Sequence, residues 1–98
     1  MCGIAGFSLN PDENIDARNL SIELLRGIET RGRHATGVAV AIRNAVQVQK
    51  AALPASDFVR TLDLDAAATT AILHTRYATQ GSPKNPVNNH PIRSGNIV

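Results

Sequence analysis

The sequence predicts an α+β fold with mainly antiparallel strands. Three observations carry this. Val38-Ala39-Val40-Ala41-Ile42 is an apolar, β-branched run, and Val46, Gln47, Val48 and Gln49 alternate shortly after it. Together they read as a buried strand folded back onto a half-buried one, a hairpin over 37–50. Leu20, Leu24, Leu25 and Ile28 recur at helical spacing and predict an amphipathic helix over 16–29. Finally, TTAILHT at 69–75 reads as a further buried strand.

The elements follow in order. CGIAGFS (2–8) is a short strand, closed by the turn signal Asn10-Pro11. Asn14 or Asp16 is placed to cap the helix. TRGRHATG then runs as a polar loop between glycines, and Arg43-Asn44 turns the hairpin. PASDFVRTL (54–62) predicts a short helix with Ser56 as its N-cap. After 75 the chain becomes rich in Pro, Gly and Asn for about twenty residues, a length usually reserved for functional or disordered loops. GNIV (95–98) reads as the start of another strand.

Composition bounds the function. Of 98 residues, 43% are hydrophobic and 18% charged, which allows a core. Phe7, Phe58 and Tyr77 are its only aromatics, so Ala, Val, Ile and Leu must supply most of that core. A chain of this length buries only about 60–65% of its unfolded surface and is marginal alone. The net charge is +2, with no Trp and one Tyr, so neither a basic stripe nor a stacking surface for nucleic acid is present. No run approaches the ~20 apolar residues of a membrane span, and no secretory signal opens the chain. The single cysteine forms no internal disulfide, so a cytoplasmic location is expected.

That cysteine is Cys2, in MCGIAGF. A lone cysteine in an apolar stretch is ordinarily a small buried hydrophobe. Its position here allows a second reading. Removal of Met1 would leave Cys2 with both a thiol and a free α-amine, whose ordinary pKa is about 7.7–8.0. One residue would then hold nucleophile and general base together. A third reading, by ligand type, is a metal site of Cys2, His34, His74 and His90. These lack the close Cys-x-x-Cys or His-x₃-His spacing of familiar zinc sites.

Two further segments, ETRGRHATG (29–37) and LHTRYATQGSPKNPVNNHP (73–91), follow MCGIAGF in order. With these three, the chain resembles the N-terminal glutaminase domain of the class II glutamine amidotransferases over nearly its whole length. The resemblance implies a four-layer αββα sandwich, the N-terminal-nucleophile hydrolase fold. It implies L-glutamine as substrate, a synthase domain or subunit that accepts the ammonia, and no cofactor. Cys2 matches the nucleophile that forms a thioester. Arg76 matches the arginine that grips the α-carboxylate of glutamine, as a guanidinium fork suits. Thr79 and His90 match substrate-pocket positions; a purely structural role for His90 stays open. Arg31, Gly32, Tyr77 and Gly81 match residues that shape the site, and Gly37 the glycine leading into the next strand.

The chain departs from the family pattern at three places. His34 stands at a usual Asp, Tyr77 at a usual Trp, and Gln80 at a His or Ala. By resemblance, the Asn-Gly oxyanion hole falls just after Val98 and an aspartate that reads the α-amine falls later. Residues 1–98 therefore read as the N-terminal portion of a single, truncated amidotransferase domain, inactive by itself. Losing one oxyanion-hole donor costs ~10²–10³ in rate. The alternative is a non-catalytic, repurposed binding or regulatory module.

Overall fold

A computed structural model describes residues 2–10, 12, 14–42, 45–78, 82, 84–85 and 89–94. The order of elements is β1 (Gly3–Ser8), α1 (Ala17–Ile28), β2 (Ala35–Ile42), β3 (Ala45–Ala51), α2 (Ala55–Phe58) and β4 (Thr70–Arg76). One four-stranded sheet, ordered β1-β4-β2-β3, is antiparallel throughout. The α+β reading and the hairpin stand, although the turn residues Arg43 and Asn44 lie outside the described residues, as does Pro11. GNIV lies outside them too.

Asp16 caps α1: its carboxylate accepts from the N–H groups of Arg18 and Asn19 at 2.9 and 3.1 Å, which satisfies two of the donors that open any helix. The face turned to the sheet is narrower than the leucine pattern suggests. Ala17, Ser21 and Leu25 are fully buried, while Leu20, Leu24 and Ile28 are half-buried. Small residues let the helix approach the sheet closely. Ser21 is tolerated there because its hydroxyl donates to the Ala17 carbonyl at 2.7 Å.

α2 is shorter than expected, and its N-cap is Pro54 with no side-chain cap bond. Ser56 is not the cap. Its backbone N–H instead donates to the Glu29 carboxylate, at the end of α1. That bond, ahead of the Arg33 guanidinium, holds the Glu29 carboxyl below its ordinary range. Phe58, Val59, Leu62 and Leu64 then close over the sheet against Leu25, Val38, Val40, Ala71 and Leu73. The side-chain amide of Gln49 ties this cover down, donating to Thr61 O and accepting from Asp63 N–H, each at 3.1 Å.

Among the described residues no helix lies on the other sheet face. Ile4 and Ile72 project there and are 73% and 45% exposed. Asn89 to Arg93 lies across part of it. Arg93 donates to the Val46 carbonyl, and a hollow of about 370 Å³ remains between Ile4, Ile72, His74, His90, Pro91 and Ile92. No helix among the described residues is long and apolar enough to cross a membrane.

Candidate functional site

Strand register decides where the motif residues meet. β1 pairs antiparallel with β4 up to Gly3 opposite Thr75, and β2 pairs with β4 up to Ala35 opposite Arg76. Cys2 thus leaves the edge strand at the same end of the sheet at which β4 finishes and β2 begins. Arg76 closes β4 rather than heading the loop beyond it, as expected from the run 69–75. Cys2 and Tyr77, 75 apart in sequence, become neighbours because both flank one pair of strand ends.

Cys2 is exposed, so the reading as a small buried hydrophobe is set aside. Its Sγ lies 3.8 Å from the Tyr77 carbonyl oxygen. Its own carbonyl accepts from Arg31 Nε at 3.3 Å. Arg31 sits in a single 3₁₀ turn, Glu29–Arg31, that ends α1. Gly32 follows and is buried. A side chain there would strike the Arg76 backbone and lie 2.7 Å from Tyr77 N, so only glycine lets the two segments touch.

Arg76 is 6% exposed. Its Nη1 donates to Asn89 Oδ1 at 2.8 Å. It is therefore a buried side chain rather than the surface arginine that the plainest alternative assumes. Thr79, Gln80, Gly81 and Asn88 lie outside the described residues. Gly37 stands inside β2 rather than ahead of it.

His90 is exposed, with its ring tilted over that of His74 at 4.7 Å between centroids. His74 is 8% exposed. Burial, then the neighbouring His90, then Arg76 push its pKa down from 6.5 to about 4. The unfolded chain therefore binds more protons than the native one between pH 6.5 and 4. Stability from this group is complete above pH 6.5 and is lost as pH falls toward 4. The loss is on the order of 3 kcal/mol. Thermal unfolding of wild type and His74→Gln across that window checks this: the variant should show a flatter dependence. The metal arrangement weighed above does not assemble, since no three His, Cys, Asp or Glu side chains meet at ion-binding distance among the described residues.

Comparison with known proteins adds the family. Over 94 residues, or 96% of the chain, it is 37% identical to a glutamine–fructose-6-phosphate aminotransferase (isomerizing) of Bacillus thuringiensis and 34% identical to that of Bacillus subtilis. Over 97 residues it is 38% identical to the Geobacillus kaustophilus enzyme. The N-terminal part of these proteins is the class II glutamine amidotransferase domain. The chain is a class II glutamine amidotransferase homologue. It spans only 15% of the length of these curated relatives. No family model matches it, and no solved structure does.

His34, which the resemblance sets at a usual Asp, makes three contacts. Its Nδ1 accepts from the Ala78 N–H at 2.8 Å, so the ring proton is assigned to Nε2. Its backbone N–H donates to Arg76 O at 3.0 Å, and its ring stacks on Tyr77 at 4.9 Å and 28°. A carboxylate would supply the same acceptor but not the stacking. Tyr77, which the resemblance sets at a usual Trp, is 51% exposed and supplies an aromatic face for this contact. Nothing in the sequence flagged Lys50 or Asn89. Both hold the segment over the sheet, and their signal lies in pairings too distant in sequence to read.

Proposed function

We propose that this chain is the N-terminal portion of a glutaminase domain that releases ammonia from L-glutamine through a Cys2 thioester. The observation that carries this is the meeting of exposed Cys2 with Arg31 and Arg76 at one sheet end, in a homologue of class II amidotransferases. Arg76 binds the α-carboxylate, and Thr79 and His90 line the pocket. Arg31, Gly32, Tyr77 and Gly81 support the loops around it.

Removal of Met1 frees the Cys2 α-amine, which takes the thiol proton. The thiolate attacks the side-chain carbonyl carbon of glutamine. The C–N bond breaks, the ammonium returns its proton to the departing nitrogen, and ammonia leaves with a thioester on Cys2. Water attacks the thioester carbonyl, the C–S bond breaks, and the sulfur recovers a proton as glutamate departs. Electrophile and nucleophile chemistry of this kind needs no cofactor. By analogy with the relatives' name, the ammonia goes to a sugar phosphate such as fructose 6-phosphate, on a synthase domain of the cytoplasmic protein.

The apolar residues exposed on the helix-free sheet face support the same reading. In that reading a second sheet would pack on the exposed Ile4 and Ile72, about 10 Å above the first. The test is intact-mass analysis of the full-length natural protein, before and after a glutamine analogue bearing a diazo-ketone side chain. Met1 should be absent, with one adduct mapping to Cys2. An active preparation that retains Met1, or an adduct elsewhere, overturns the mechanism.

A further inference from the structure

Three elements converge over Gly37. Lys50 stands opposite Gly37 in the β2–β3 register. Its Nζ donates to the carbonyls of Asn89 and Pro91 at 2.8 and 3.0 Å. Gly37 itself lies beneath that segment: a Cβ there would collide with the His90 carbonyl and come 2.7 Å from Pro91 Cδ. The chain at 89–91 is thus laid against the sheet and pinned by one ammonium. The pinned segment buries the Asn89 side chain, 1% exposed, and turns its Oδ1 to Arg76 Nη1 at 2.8 Å.

The choice of a neutral amide matters. A carboxylate at Asn89 would orient the guanidinium equally well but would neutralise the charge that an incoming carboxylate needs. An amide oxygen orients it and leaves the charge intact. A guanidinium already held in direction loses less side-chain freedom when it binds.

We propose that Asn89, pinned by Lys50, is the positioning residue that aims the Arg76 guanidinium and makes the site select side-chain amides carrying a free α-carboxylate. This rests on the reading of Arg76 as the carboxylate ligand. Asn89 touches no reacting atom. It acts through Arg76, and Lys50 acts through Asn89.

The experiment uses the full-length protein with L-glutamine and with 4-aminobutanamide, which lacks the carboxylate. Asn89→Ala leaves the backbone carbonyls that Lys50 holds, and should raise KM for glutamine about tenfold, with a much smaller change for 4-aminobutanamide. Asn89→Asp should raise it further, again on glutamine alone. Lys50→Met should act in the same direction, and Lys50→Arg should restore part of the loss. In an Arg76→Ala background, Asn89→Ala should add less than twofold, since the two act as a unit. Equal losses on both substrates from Asn89→Ala and Lys50→Met, or a full additional penalty in the Arg76→Ala background, overturn the inference. If Arg76→Ala separates the two substrates and Asn89→Ala does not, this inference falls alone. If Arg76→Ala does not separate them, the reading of Arg76 falls first and this inference with it.

Discussion

Cys2→Ala in the full-length protein is expected to abolish glutamine hydrolysis while leaving the fold unchanged. The chain holds no second thiol, and no other side chain there forms a thioester. Removing the residue that carries a covalent step costs on the order of 10⁴-fold or more in kcat. The fold should survive because the side chain is exposed. Its one described sulfur partner is the Tyr77 carbonyl at 3.8 Å, a weak thiol bond. Glutamate release and thermal unfolding, measured side by side, check both halves. Ammonia-dependent synthesis in the full protein should persist, because exogenous ammonia bypasses the thioester. Full glutaminase activity in the Ala variant would remove Cys2 from the mechanism.

Arg76→Ala is expected to lower kcat/KM for L-glutamine roughly 10- to 150-fold. A hydrogen bond to a charged group contributes about 1.5–3 kcal/mol, and about 1.36 kcal/mol is tenfold in rate. The loss should fall mainly on KM if the carboxylate is gripped equally in ground and transition states. Arg76→Lys should recover only part, because an ammonium keeps the charge and loses the fork. A decarboxylated glutamine analogue should be nearly indifferent to either change. Equal losses on both substrates would make Arg76 a structural residue. Burial gives that outcome a concrete form: at 6% exposure with Asn89 as partner, Arg76 holds the 89–91 segment as well as any ligand. Comparing the two substrates separates the two duties.

The elements that were legible in sequence share one property: their signal is local. The β2–β3 hairpin shows in a run of β-branched residues followed by alternation, because a strand buried on both faces and one buried on a single face differ in period. The start of α1 shows in Asp16, whose carboxylate needs only the next three residues to do its work. Ser56 misled for the same reason. A hydroxyl ahead of a short apolar stretch is a good local cap, but Glu29, 27 residues earlier, took the bond instead. The helix face is legible in Leu24, Leu25 and Ile28, which pack on the core; that Ala17 and Ser21 are buried beside them follows from close helix–sheet packing, which composition does not reveal.

The motif residues Cys2, Arg31, Arg76 and His90 could be named from their order and chemistry, and so could the family to which the chain is related. Their geometry waited on folding. Cys2 reaches Tyr77, and Arg31 reaches Cys2, because antiparallel register brings the start of β1 beside the end of β4. His34 takes up an acceptor role because its imidazole meets the Ala78 amide 44 residues away. Lys50 and Asn89 enter only through contacts across the open sheet face. Order and residue type are properties of the chain, whereas distance, burial and hydrogen-bond partner are properties of strand pairing, which joins positions that no sequence window contains.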